Sequence, residues 1–358
     1  MRSGRHGRAQ SGLTLIELVM AAGLLTLIMI AVFSLLDGSL DLWRKSETRR
    51  NLGEQAGGVM ELLARDLAAL EPGERGDLLA DWVRFDTDAN GMVETGWPRL
   101  RMVRQASAAE VAALSAGSEI PPPIGPALLE VAWVVTPASG AQDARAEGVI
   151  WRGQRLLGRA GGESFFDPAF LGRDHRPAPG ALEEVTGGLL WMGLLFATQT
   201  SIVHDGWKVG PELEHAATSW DAWSRQRPDL TLHVYNEAGA GMPRVEGRPL
   251  LPRRVRVELE FERPVDRKRR PRLALAAAAS DAVLVLDDAT RLSAEAGAHV
   301  QVGGEWMKIR DVSRDRVTVQ RGRRGTEPLV HPAGAMVHWG PAVVREVPVR
   351  LYREDWNL

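Results

Sequence analysis

Residues 18–36 read LVMAAGLLTLIMIAVFSLL and carry no charge. Extended back to Leu13, the run would span roughly 36 Å as a helix at ~1.5 Å per residue, against ~30 Å of bilayer hydrocarbon. Residues 13–36 are therefore expected to form a transmembrane helix. Beyond them the pattern becomes amphipathic. Leu52, Ala56, Val59, Leu63, Leu67 and Leu70 recur at spacings of four and three, while Arg49, Arg50, Glu54, Glu61, Arg65 and Asp66 take the other faces. This predicts that the helix continues through 37–72 and ends at Glu71-Pro72-Gly73. Gly57-Gly58 interrupts its middle, at ~1 kcal/mol per glycine relative to alanine, and is read as a point of close approach to the body.

After residue 78 the period changes. Val83–Phe85, Leu100–Val103, Leu128–Val135, Gly148–Arg152, Leu189–Phe196, Leu230–Tyr235 and Val255–Phe261 read as short strands. The last alternates strictly. The proline-rich run at 120–126 reads as a loop. Residues 73–262 are thus expected to form a mainly antiparallel sheet with one solvated face. A helix followed by strands gives an α+β class.

Residues 263–272 read RPVDRKRRPR and mark a boundary. Arg263, Arg267, Lys268, Arg269, Arg270 and Arg272 stand there against one acid, Asp266. The run is read as a solvated linker, with contact to anionic lipid headgroups or nucleic acid as the alternative. Short strand candidates follow at 283–286, 299–302, 305–310 and 316–320, and Val302-Gly303-Gly304-Glu305 carries a two-glycine hairpin signal. Residues 263–341 are expected to be a small inserted β-module, and 342–358 a final strand and tail, the strand at 346–353. The module resembles small β-modules with a Gly-Glu-Trp-Met, Arg-Gly-x-x-Gly-Thr and His pattern, seen here at Gly304–Met307, Arg321–Thr326 and His331. That resemblance implies no activity.

The N-terminus sharpens the reading. Residues 1–12 carry Arg2, Arg5 and Arg8 and no acid, so this flank is expected in the cytoplasm. An ordinary secretory signal has a shorter apolar core and a small-residue cleavage site, and neither is present. Glu17 is a lone carboxylate at the leading end of the apolar run, where an unpaired charge is costly. Gly12-Leu13-Thr14-Leu15-Ile16-Glu17-Leu18 resembles the type IV prepilin motif, with Leu13 where phenylalanine is usual. The resemblance implies cleavage between Gly12 and Leu13 by a prepilin peptidase, removal of a 1–12 leader, and N-methylation of Leu13. It further implies that Glu17 neutralises a neighbouring subunit's new amino terminus during assembly.

The head narrows the resemblance. Leu63-Ala64-Arg65-Asp66-Leu67, Trp220-Asp221-Ala222-Trp223 and Leu251-Pro252-Arg253-Arg254 leading into a strand are similar to the minor pseudopilin J family of type II secretion systems. That implies a pilin-like fold, and a protein held in the inner membrane by one helix with its head in the periplasm. It then sits at the pseudopilus tip. The implied partners are the I and K type minor pseudopilins, the major pseudopilin, prepilin peptidase and inner-membrane lipid. The alternatives are a minor pilin of a type IV pilus, for adhesion, motility or DNA uptake, or a membrane-tethered binding module. The tryptophans are read first as core packing.

Charge and composition exclude little more. The formal net charge is -2, which predicts no attraction to nucleic acid. Cysteine is absent, so disulfides and thiolate metal sites are excluded. Asp86, Asp88 and Asn90, followed by Gly91, with Glu94 at the ninth position, resemble the start of a calcium loop. Trp97 stands where a bidentate glutamate is required, which favours a polar turn over a metal site. Glu212-Leu213-Glu214-His215 lacks the spacing of a zinc protease. There is no phosphate loop, dinucleotide fingerprint or nucleophile elbow. No enzyme and no cofactor are expected.

Overall fold

The structure, a computed structural model, describes residues 15–85, 95–116, 126–138, 146–158, 163–171, 180–197, 219–223, 225, 247–262, 264–290, 292 and 298–350. The class is α+β. The chain divides into two compact units, Met1–Asn51 and Leu52–Leu358. The boundary falls inside the long helix α1, Leu15–Ala68, of 54 residues.

In the first unit, Leu18–Leu36 forms a 19-residue helical stretch of mean hydropathy 2.6, none of it buried within the protein. It is long and apolar enough to cross a membrane, by length and composition. At ~1.5 Å per residue it covers about 28 Å.

The second unit begins with the amphipathic end of α1. Ala56, Val59, Met60, Leu63, Leu67 and Leu70 are buried, as the apolar stripe predicts. Gly57 and Gly58 depart from expectation. Both are exposed, and a Cβ added at either would meet nothing within 4 Å. They are not points of close approach.

Eight strands follow: β1 (Asp77–Phe85), β2 (Thr95–Gln105), β3 (Leu128–Pro137), β4 (Gly148–Leu156), β5 (Glu183–Ala197), β6 (Trp220–Asp221), β7 (Arg254–Phe261) and, much later, β13 (Ala342–Pro348). They form one antiparallel sheet in the order β13-β7-β5-β4-β3-β2-β1-β6. A short helix α2 (Ala108–Ser115) links β2 to β3, opened by a Ser107–Glu110 capping box. The candidate strand at 230–235 and most of the proline-rich run lie outside the described residues. The final strand starts at 342 rather than 346.

Register assigns the faces of the central strands. Trp133, Leu100 and Arg152 are mutual neighbours across β2, β3 and β4 and face α1. Trp133 donates to Asp66 at 2.8 Å, and Arg104 and Arg152 pair with the same carboxylate at 2.8 and 2.9 Å. Asp66 is therefore buried, not on the solvent side of the helix as its position in the sequence pattern suggested. The opposite face is not solvated there either. Arg101, Ala132 and Gly153 share it, and Arg101 is wholly buried. Segment 163–171 and Leu182 cover it. The Glu130 carboxylate accepts from Phe165 N–H at 2.9 Å, and a Cβ at Gly153 would lie 2.3 Å from Leu182 Cδ2. Every residue of β3 except the last is accordingly buried. Buried charge on that face is paired, Arg101 with Asp81 at 2.8 Å and Arg99 with the same carboxylate, as a water-free site demands.

The sheet is strongly coiled. Trp82 of β1 and Trp191 of β5 are four strands apart, roughly 19 Å at ~4.8 Å per strand. Their ring centroids are only 5.6 Å apart.

The segment between β7 and β13 builds a second antiparallel sheet of β8 (Val283–Val285), β9 (His299–Val302), β10 (Glu305–Ser313), β11 (Arg316–Arg323) and β12 (Val337–His338), in the order β12-β9-β10-β11-β8. It has its own core of Leu284, Val300, Val302, Met307, Ile309, Val317 and Val319. Gly303 and Gly304 turn β9 into β10 with φ of 53° and 89°. Two successive left-handed residues are what a two-residue hairpin of this kind requires, and glycine supplies them without strain. The insertion leaves and re-enters the head at neighbouring points. Glu260 of β7 pairs with Ala342 of β13, and Gly340 lies against the Phe261 carbonyl.

Candidate functional site

The candidate processing and assembly residues cluster at the N-terminus. Gly12 and Leu13 lie outside the described residues. Glu17 lies near the start of α1, one residue before the Leu18–Leu36 stretch. The calcium candidates Asp86, Asp88, Asn90 and Glu94 also lie outside the described residues, in the connection between β1 and β2, whose ends pair at Phe85 and Thr95.

The repeated motif of the inserted module resolves into one buried polar network. Glu305, at the start of β10, is fully buried. Its carboxylate accepts both arms of the Arg321 guanidinium, at 2.7 and 2.6 Å, and the backbone N–H of Gly322 and Leu329 at 3.1 and 2.9 Å. His331 Nε2 lies 2.8 Å from the same group. Burial alone would raise the Glu305 carboxyl, but the bonds from Arg321, His331 and Leu329 outweigh it and hold it down to about 2. Thr326 Oγ1 accepts the N–H of Trp306 at 2.9 Å. The Glu, Arg, Gly and His of the motif thus satisfy one another, while the Thr326 hydroxyl joins Trp306 to the Arg323 carbonyl, and the arrangement is architectural.

The basic run is a solvated linker only in part: Arg267, Lys268, Arg269 and Arg272 are exposed, Arg270 is not, and Arg263 lies outside the described residues. Arg270 joins Glu147 and Glu262, at the latter with 2.6 Å, and Arg267 reaches the same two carboxylates at 3.2 and 3.5 Å. Glu262 is pulled in two directions: burial raises it, while His338, 3.6 Å away, and the hydrogen-bonded Arg270 win and lower it. Arg272 donates its backbone N–H to Asp287 and its guanidinium to the Gly334 carbonyl. Lys268 and Arg269 stay exposed. Glu147, Glu262 and His338 bring three ligand-type atoms within 4.8 Å of one another. Arg270 already bridges the two carboxylates, so the donor set is committed to a guanidinium and does not fit a cation.

A second contact between insertion and head was not legible from motifs. Arg324 sits between the rings of Trp191 and Trp306, 4.6 and 4.4 Å from their centroids. It pairs with Glu258 at 2.7 Å and with Glu260 at 3.0 Å. Burial raises the Glu260 carboxyl, with Arg324 opposing. The Trp220–Trp223 segment is packed locally. Trp220 is buried and donates to the Leu250 carbonyl at 2.8 Å, and Trp223 donates to the Gly76 carbonyl at 3.0 Å.

Comparison with protein-family models, with curated proteins and with solved structures gives no match. The class the fold defines is therefore a coarse one: an α+β protein with one N-terminal helix long and apolar enough to span a membrane.

Proposed function

We propose that this chain is a minor pseudopilin of a type II secretion system, assembled at the pseudopilus tip to start pseudopilus formation and support protein export. The reading rests on the run Gly12–Leu18, set directly before an uncharged helical stretch. A glycine, a bulky apolar residue and a glutamate four residues further on are what prepilin processing and assembly call for. Cleavage would leave an α-amino group at the bilayer edge, and a carboxylate such as Glu17 on a neighbouring subunit would neutralise it. Both charges are costly alone in hydrocarbon. Two further features support the reading: the helix runs on from its apolar stretch into an amphipathic end, and that end lies against an antiparallel sheet.

In this role the subunit starts in the inner membrane with its head in the periplasm. It makes no bond and breaks none. Its work is recognition of the I and K type minor pseudopilins and then of the major pseudopilin. Co-expression with candidate I and K type subunits tests the reading. Recovery of a stoichiometric complex through this chain is the expected result, and its failure with every such subunit encoded beside it counts against the proposal.

A further inference from the structure

The ion pairs that Arg267, Arg270 and Arg324 make with the head share one polarity. Glu147, Glu258, Glu260 and Glu262 belong to the head and its border, while Arg267, Arg270 and Arg324 belong to the insertion. Arg267 and Arg270 act where the chain enters the insertion, beside its exit at Gly340. Arg324 makes a separate attachment. Its backbone is left-handed, with φ 53°, a conformation that disfavours a side-chain-bearing residue and persists where surroundings fix it. Its neighbour Gly325 is also left-handed, at φ 77°. The pair of turns carries the guanidinium out of β11 and into the head. There the Trp191 face and two carboxylates of the head receive it, with the insertion's own Trp306 on its other side, an arrangement suited to a planar, delocalised cation and not to a compact ammonium. Trp82 and Leu190 back the site from the head.

We propose that the head face formed by Trp191, Glu258 and Glu260 is a guanidinium-binding site, that Arg324 is its resident ligand, and that this side chain, with Trp306 packed beside it on Trp191, latches the insertion against the head. The insertion carries its own core and its own polar network around Glu305. Releasing Arg324 therefore frees it to move as a folded body about the Arg267–Arg270 junction. The inference does not depend on the assembly reading.

The chain contains no cysteine, so two introduced ones can be spin-labelled cleanly. The full chain in detergent micelles is labelled at Glu184→Cys on the head and Ser280→Cys on the insertion, both exposed positions. The distance distribution is expected to be single and narrow. In Arg324→Gly, which leaves the left-handed backbone unstrained, it is expected to broaden, while amide exchange at Met307 and Ile309 stays slow. Added methylguanidinium is expected to narrow it again, and ammonium is not. Glu258→Gln/Glu260→Gln is expected to broaden it without rescue. A distribution that stays narrow in both variants would overturn the latch. So would loss of exchange protection in the insertion on release, or rescue by ammonium equal to that by methylguanidinium.

Discussion

The Asp66 carboxylate accepts a hydrogen bond from the indole N–H of Trp133 at 2.8 Å, tying the end of α1 to the middle of the sheet. Arg104 and Arg152 share that carboxylate, and Arg104 is itself buried. Asp66→Ala would take the carboxylate from Arg152 and from the Trp133 indole, and leave Arg104 paired with Glu110. Removing one partner of a buried pair costs about 3–5 kcal/mol, so a large drop in the denaturant midpoint of the head is expected. Asp66→Asn keeps a hydrogen-bond acceptor for Trp133 and should fall between the two. Equal stability of Asp66→Ala and the parent chain would remove this role.

Gly57 and Gly58 lie in α1 with open space where a Cβ would go. Each should gain about 1 kcal/mol on replacement by alanine. Thermal unfolding of Gly57→Ala and Gly58→Ala is the measurement, and a lower midpoint would show a contact that the free subunit needs.

The insertion should weaken in acid. Burial, then the charges of Arg324, Lys308 and Arg323, push His299 from 6.5 to about 2. Glu305 moves from 4.5 to about 2. Both groups bind protons more readily unfolded than folded, so stability rises with pH across their windows. His299 contributes a loss as pH falls below 6.5, and Glu305 a further loss below 4.5, each continuing towards 2. Glu260 works the other way, since its raised value makes protonation easier in the folded chain. Glu305→Gln should lower stability at neutral pH and flatten the dependence below 4.5. Unfolding of the insertion followed from pH 7 downward reads both effects, and an unchanged slope below 4.5 in the variant would contradict the role given to Glu305.

Glu17→Ala should leave membrane insertion and leader cleavage unchanged and impair incorporation into pseudopili. Pull-down of assembled filaments gives the readout, and normal incorporation would exclude Glu17 as the assembly carboxylate.

Local periodicity made much of the fold readable. The stripe from Ala56 to Leu70, the alternation of Val255–Phe261 up to Leu259, and the Gly303-Gly304 turn each follow from short-range rules and are found, while Glu260 breaks the alternation by being buried. The capping box Ser107-x-x-Glu110 was equally readable and marks α2, which strand-seeking passed over. What escaped depends on distant residues. Asp66 looks like solvent-side charge until Trp133, Arg104 and Arg152 arrive from strands far along the chain. Arg267 and Arg270 look like linker charge until Glu147 meets them. Over the central strands the second face of the sheet is covered because Phe165 and Leu182 fold over it. Pattern reading assigns a charged residue to solvent, and three-dimensional pairing reverses the assignment. At the candidate site the sequence carries Gly12, Leu13 and Glu17 by motif, while the Arg324 site, split between β5, β7 and the insertion, left no local trace.

The central claim is a prepilin that is cut and then assembled. Intact-mass and N-terminal peptide mass spectrometry of the mature protein, made in cells that contain a prepilin peptidase, tests it most directly. The mature chain is expected to begin at Leu13 and to carry one N-methyl group. A chain that still begins at Met1, or one cut elsewhere than after Gly12, would contradict it.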